Sequence, residues 1–199
     1  MNNKVDRKDL ILRAALQHFV EEGYDRATIQ NIAKKACVGK GTIYEYFTSK
    51  EALFGEVVLT GLTYIFDELM QVVKRPGPIY SKVKRLYEKN AQLFHSESEL
   101  RAIMLNDFGK IPKQLHLQLQ TMQKEMQILV ESSLKEAIDN GELRNIHPGI
   151  AASVVLNGLK VIYFYQLRET ETYEEVIEQQ LKITFSGLAV PGTVRGQIS

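Results

Sequence analysis

Apolar residues recur every three to four positions through most of the chain, and no stretch alternates long enough to suggest a strand. From residue 6 to 22, Leu10, Ile11, Ala14, Ala15 and Phe19 form one stripe, and Gly23 follows as a stop. Two short helices come next. The first is capped by the Thr28 hydroxyl and buries Ile29, Ile32, Ala33 and Ala36, leaving Gln30, Lys34 and Lys35 on its other face. A turn of Cys37, Val38, Gly39 and Lys40 leads into the second, Gly41 to Phe47, which Ile43 and Phe47 anchor from one side. A longer helix is predicted from about Lys50 to Val73, capped by Ser49, with Leu53, Val57, Ile65 and Leu69 among its apolar positions. Arg75-Pro76-Gly77-Pro78 ends it, because two prolines around a glycine cannot continue a helix.

Beyond that break the period remains helical over Ile79–Phe94, Glu97–Asp107, Pro112–Asn140, Pro148–Glu169 and Tyr173–Leu188. Gly141 reads as a stop, Pro148 as a first-turn residue and Thr172 as a cap. The predicted fold is all-α. The first five residues and the segment 191–199, with Pro191, Gly192 and Gly196, read as loose ends.

Charge adds a small asymmetry: the first 50 residues hold nine Lys or Arg against six Asp or Glu, in a chain whose net charge is only +1. The excess sits where the two short helices lie, which favours phosphate contact without identifying it. One cysteine excludes an internal disulfide, and MNNKVDRKDL has no apolar run like a secretory signal, so the expected compartment is the cytoplasm. Ile150 to Leu167 is apolar enough to suggest a membrane span, but Asn157 and Lys160 fall near its middle. A lysine there costs about 2.5 to 3.5 kcal/mol in lipid, so a buried helix at a subunit contact fits better and no membrane partner is expected.

The segment TIQNIAKKACVGKGTIYEYFTSK, Thr28 to Lys50, thus reads as a helix pair with a tight turn, the arrangement that lays one helix in the major groove of DNA. Its second helix leaves Lys40, Gly41, Thr42, Tyr44 and Tyr46 outward or at the rim. From Thr28 to Leu53 the pattern resembles the DNA-binding signature of the TetR family of bacterial transcriptional regulators. Two positions depart from it: the family often has Gly where this chain has Cys37 and a hydroxyl residue where it has Gly39. A left-handed Cys37 would cost roughly 1 kcal/mol, and Gly39 offers no side-chain oxygen to cap the second helix. Glu45, among the groove-facing positions, repels phosphate; it is either solvated, paired with a lysine, or an acceptor for cytosine N4.

The resemblance implies a three-helix helix-turn-helix DNA-binding domain at 1–48, a larger helical effector-binding and dimerisation domain at 49–190, and a disordered tail at 191–199. By match to the family motif, Lys40, Gly41 and Tyr44 approach base edges, while Thr28, Thr42, Tyr46 and Lys50 hold phosphates. It also implies a homodimer on double-stranded operator DNA. Ala151, Ala152, Val155, Gly158, Leu159 and Ile162, with Val176, Ile177, Leu181 and Phe185, are the residues expected to build a self-complementary four-helix contact.

Most large adaptable side chains of the middle region read as core, but the resemblance implies an effector pocket among them: Tyr64, Tyr87, Met104, Phe108, Met122, Met126 and Tyr163, with Asp107 and Asn157 as further polar groups. Their composition suggests a small apolar or amphiphilic molecule, and the family resemblance implies that its binding releases a repressor from its operator. The rival reading is a helical effector-binding protein whose specific DNA binding is weak or lost.

Enzymatic readings fare worse. Gly39-Lys40-Gly41-Thr42 resembles a nucleotide-hydrolase phosphate loop, but Lys34 stands where its distant glycine belongs and Gly41 where Ser or Thr should follow the lysine. His18, His95, His116 and His147 are scattered without metal spacing, and Cys37 has no partner thiol. No catalytic residue, metal or cofactor is expected.

Overall fold

The computed structural model describes residues 6–187, apart from the side chains of Met104, Leu105, Phe108 and Gln114. The segments expected to be loose, 1–5 and 191–199, lie outside the described residues. The fold is all-α, and no strand occurs among the described residues. Three helices, α1 (Arg7–Arg26), α2 (Ile29–Lys35) and α3 (Lys40–Tyr46), form an N-terminal helix-turn-helix head. A larger helical part follows: α4 (Lys50–Lys74), α5 (Ile79–Ser96), α6 (Ser98–Asn106), a 3-10 turn (Phe108–Lys110), α7 (Lys113–Asp139), α8 (Pro148–Gly158), α9 (Val161–Phe164) and α10 (Tyr173–Ser186).

By packing, the chain makes two compact units, each built from two stretches of sequence. One joins the residues up to Asp67 with Leu93–Gln123; the other joins Glu68–Gln92 with the residues from Lys124 onward. In the first unit, Ile11, Ala15 and Phe19 of α1, Ile32 of α2, Ile43 of α3 and Leu53, Phe54 and Val58 of α4 share one core with Ile103 and Ile111. Burying side chains of this kind contributes roughly 1.5–3 kcal/mol each. Two glycines let α4 pack closely in this unit. A Cβ at Gly55 would touch Pro112 and Leu115, and one at Gly61 would press into Leu100.

In the second unit the sequence-based expectation needs correction. The helix predicted over Pro148–Glu169 stops at Gly158, resumes for one turn at Val161–Phe164, and gives way to extended chain and turn before Thr172. The cause is tertiary. Tyr87 Oη donates to the Val155 carbonyl at 3.1 Å, Gln180 Nε2 to that of Gly158 at 2.7 Å, and Asn90 Nδ2 to that of Leu159 at 2.9 Å. Carbonyls that a continuing helix would bond to its own amides are taken by side chains of α5 and α10. A Cβ at Gly158 would also overlap Tyr87 Oη and Gln180 Nε2, so only glycine admits this approach. The capping role expected of Thr172 is present, with Glu175 completing a reciprocal capping box.

The same unit divides the residues expected to meet a second subunit. Ala152, Val155, Ile162, Ile177 and Leu181 are buried within the single chain, so they are core. Ala151, Gly158, Leu159, Val176 and Phe185 are half-buried, and the most exposed apolar side chains of these helices, Ile150 and Val154 on α8, Phe164 on α9 and Ile183 on α10, are not among the residues expected there. No described helix is long and apolar enough to cross a membrane.

Candidate nucleic-acid interface

The interface begins with local chemistry. Thr28 has extended backbone and its Oγ1 accepts the Asn31 amide at 3.2 Å, so the hydroxyl is used as the cap of α2. At the other end of α2, the Val38 amide reaches the Ala33 carbonyl at 3.0 Å and the Cys37 amide the Lys34 carbonyl at 3.1 Å. This pattern closes a helix through a left-handed residue, normally glycine. Here that residue is Cys37, at φ 54° and the sole non-glycine with positive φ among the described residues. Gly39 then caps α3 by backbone alone, its carbonyl accepting the Thr42 amide at 3.0 Å.

On α3 the buried Ile43, followed by buried Phe47, fixes which side faces the core. Lys40, Gly41, Tyr44, Glu45 and Tyr46 are exposed and Thr42 is half-buried. The Lys40 ammonium lies 5.8 Å from the centre of the Tyr44 ring. The structure therefore brings six of the seven predicted contact residues, Thr28 included, to the surface of the head.

Lys50 is placed differently. Its ammonium donates to the carbonyls of Tyr24 at 2.8 Å, Ala27 at 3.0 Å and Asp25 at 3.3 Å, and lies 4.5 Å from the centre of the Tyr24 ring. These carbonyls belong to the last turn of α1, past its kink at Gly23 (φ 74°), and to Ala27 just beyond it. Sequence reasoning missed the other half of this arrangement. The same segment is gripped by Asp107, whose carboxylate accepts the Tyr24 amide at 3.3 Å, and by Lys110, which pairs with both Asp25 oxygens at 2.8 and 2.9 Å. The bond from Lys110 holds the Asp25 carboxyl below its ordinary range, and the same bond raises the lysine. No local sequence signal links residues 85 positions apart.

The residues expected around an effector fall in both compact units. Tyr64, Asp107 and Met122 belong to the first; Tyr87, Met126, Asn157 and Tyr163 to the second. Met104 and Phe108 have side chains outside the described residues. Asn157 is engaged by its own helix, donating to the Ser153 carbonyl at 2.8 Å and accepting from Lys160 at 3.1 Å. Two grooves of about 510 and 520 Å³ in the second unit, one beside Val161, Val176 and Ile183 and one beside Leu134, Val154 and Phe185, are lined by none of the expected residues.

Comparison with known proteins places this geometry. Residues 11–57 match the family model of bacterial regulatory proteins, tetR family. The HTH-type transcriptional regulator YhgD of Bacillus subtilis is 27% identical over 202 residues, spanning 96% of this chain and 97% of the relative. The HTH-type transcriptional repressor KstR2 of Mycolicibacterium smegmatis is 23% identical, spanning 92% of this chain and 90% of its own length. Among solved structures, FadR of Bacillus subtilis in complex with stearoyl-CoA has the same fold, with a TM-score of 0.73 at 20% identity over 91% of this chain and 99% of that one. Residues 11–57 thus carry the DNA-binding domain of the tetR family of bacterial regulatory proteins, and over its length the chain is similar to HTH-type transcriptional regulators.

Proposed function

We propose that the protein is a dimeric repressor that binds a two-fold operator through α3 and is released by a small amphiphilic effector, an acyl thioester being the first class to test. The observation that carries this reading is α3 itself: a seven-residue helix, pinned by Ile43, with Lys40, Tyr44, Glu45 and Tyr46 turned to solvent. A helix so short has no stability of its own, and an exposed row of Lys40, Gly41, Tyr44 and Tyr46 suits base edges and phosphates. Thr28 and Thr42 complete the backbone contacts, whereas Lys50 serves the head from within.

The effector class is carried over from the stearoyl-CoA bound to the FadR relative in structure and from the Met and aromatic content of the middle region. Dimerisation is proposed through the outward apolar side chains Ile150, Val154, Phe164 and Ile183, because one recognition helix reads few bases and symmetric regulators span half-sites about 34 to 36 Å apart. Release follows from linkage: an effector favouring a state that fits DNA poorly weakens operator binding by the same coupling, typically about 1–3 kcal/mol. Helix α4 begins in the unit that contains the head and ends in the other, and α6 packs against it at Gly61.

The experiment is selection of genomic fragments by the purified chain, followed by release with fatty acyl-CoA of graded length. Enrichment of a two-fold site and its loss on adding acyl-CoA support the reading. A protein that binds acyl-CoA yet enriches no site belongs to the rival class of effector-binding helical proteins.

A further inference from the structure

Glu45 lies at the centre of the outward face of α3. It follows the buried Ile43 by two residues, about 200° round the helix, so it points away from the core. No hydrogen bond or ion pair within the described residues engages it. Of the cations of the head, Lys8 pairs with Glu56 and Lys35 with Glu21, both at 2.5 Å, Lys50 serves three carbonyls, and Lys40 on the same helix lies over the Tyr44 ring. One turn before Glu45 on the same face stands Gly41, and a Cβ there would meet nothing within 4 Å. The N-terminal turn of this face is therefore bare, and the helix backbone can sit deep enough for a glutamate to reach a base.

A carboxylate in that position cannot contact phosphate, since both are anions, and it lowers affinity for any duplex that offers it no donor. In the major groove the base donors are the amino groups of adenine N6 and cytosine N4. Adenine places its N7 acceptor beside N6, where it repels a carboxylate; cytosine has only C5–H beside N4. We propose that Glu45 selects a cytosine at one position of each operator half-site by accepting a hydrogen bond from N4. This rests on the DNA-reading role of α3 and adds the identity of one base.

The test is selection from a random duplex library by the full chain and by its Glu45→Gln and Glu45→Ala variants. Because Glu45 is exposed, both variants should unfold at the same denaturant midpoint as the parent. The parent is expected to fix a cytosine that Glu45→Ala leaves unfixed and Glu45→Gln shifts toward adenine. Changing that C·G pair to T·A replaces the N4 donor with an O4 acceptor; it should weaken the parent about tenfold or more and Glu45→Ala hardly at all. If the parent selects a site and Glu45→Ala retains every base preference, the proposal is overturned while the DNA-reading role stands. If the parent selects no site, both fall together.

Discussion

At the scale of single residues, Cys37 shows what the turn between α2 and α3 costs this chain. Its φ of 54° is a conformation in which a Cβ is strained by about 1 kcal/mol, and its amide and that of Val38 are both needed to close α2. Cys37→Gly should therefore raise stability by about 0.5–1 kcal/mol in urea unfolding, with DNA preference unchanged. Lys50 makes the opposite case, a residue whose family role and observed surroundings diverge. Hydrogen bonds to charged groups contribute about 1.5–3 kcal/mol, so Lys50→Ala should destabilise the head by about that amount. The salt dependence of DNA binding should stay the same, since loss of a phosphate contact would reduce its slope by about 0.9. The caps at Thr28 and Thr172 were legible in sequence because capping is chemistry among residues three apart. The grip of Asp107 and Lys110 on Tyr24 and Asp25 was not, because nothing local distinguishes those carboxylates and lysines from solvated ones.

At the scale of elements, periodicity located the helices and misjudged one. The stretch from Pro148 onward has the composition of a single helix, and only side chains from α5 and α10 divert its carbonyls. The one local hint was Gly158. Gly158→Ala would force a methyl into Tyr87 and Gln180, and overpacking of this kind costs about 1–3 kcal/mol. That loss should appear as a lower urea midpoint. The same comparison explains why part of the expected subunit contact is core: an apolar residue on a periodic stripe announces burial without saying whether its own chain or another provides it. Ala152 and Leu181 are buried by their own chain, whereas Ile150 and Val154 are not.

For the whole molecule, self-association is the property on which operator recognition rests. Val154 is 56% exposed and Ile150 64% exposed, so charge at either position should leave the subunit folded. Ile150→Glu combined with Val154→Glu should give monomers by sedimentation and reduce operator affinity by at least the tenfold that follows from losing one half-site. The charge asymmetry of the first 50 residues favours phosphate contact but assigns no partner to any particular lysine; the structure leaves Lys40 over a tyrosine on the outward face and commits Lys50 inward. One further result concerns synthesis. Since the head shares its core with Ile103 and Ile111, and the end of α1 is held by Asp107 and Lys110, a nascent chain that has emerged only through α4 lacks groups that complete the head. Newly made protein should thus acquire a stable head only after more than half its length has left the ribosome, and fragments ending near residue 60 should bind DNA less well than the full chain.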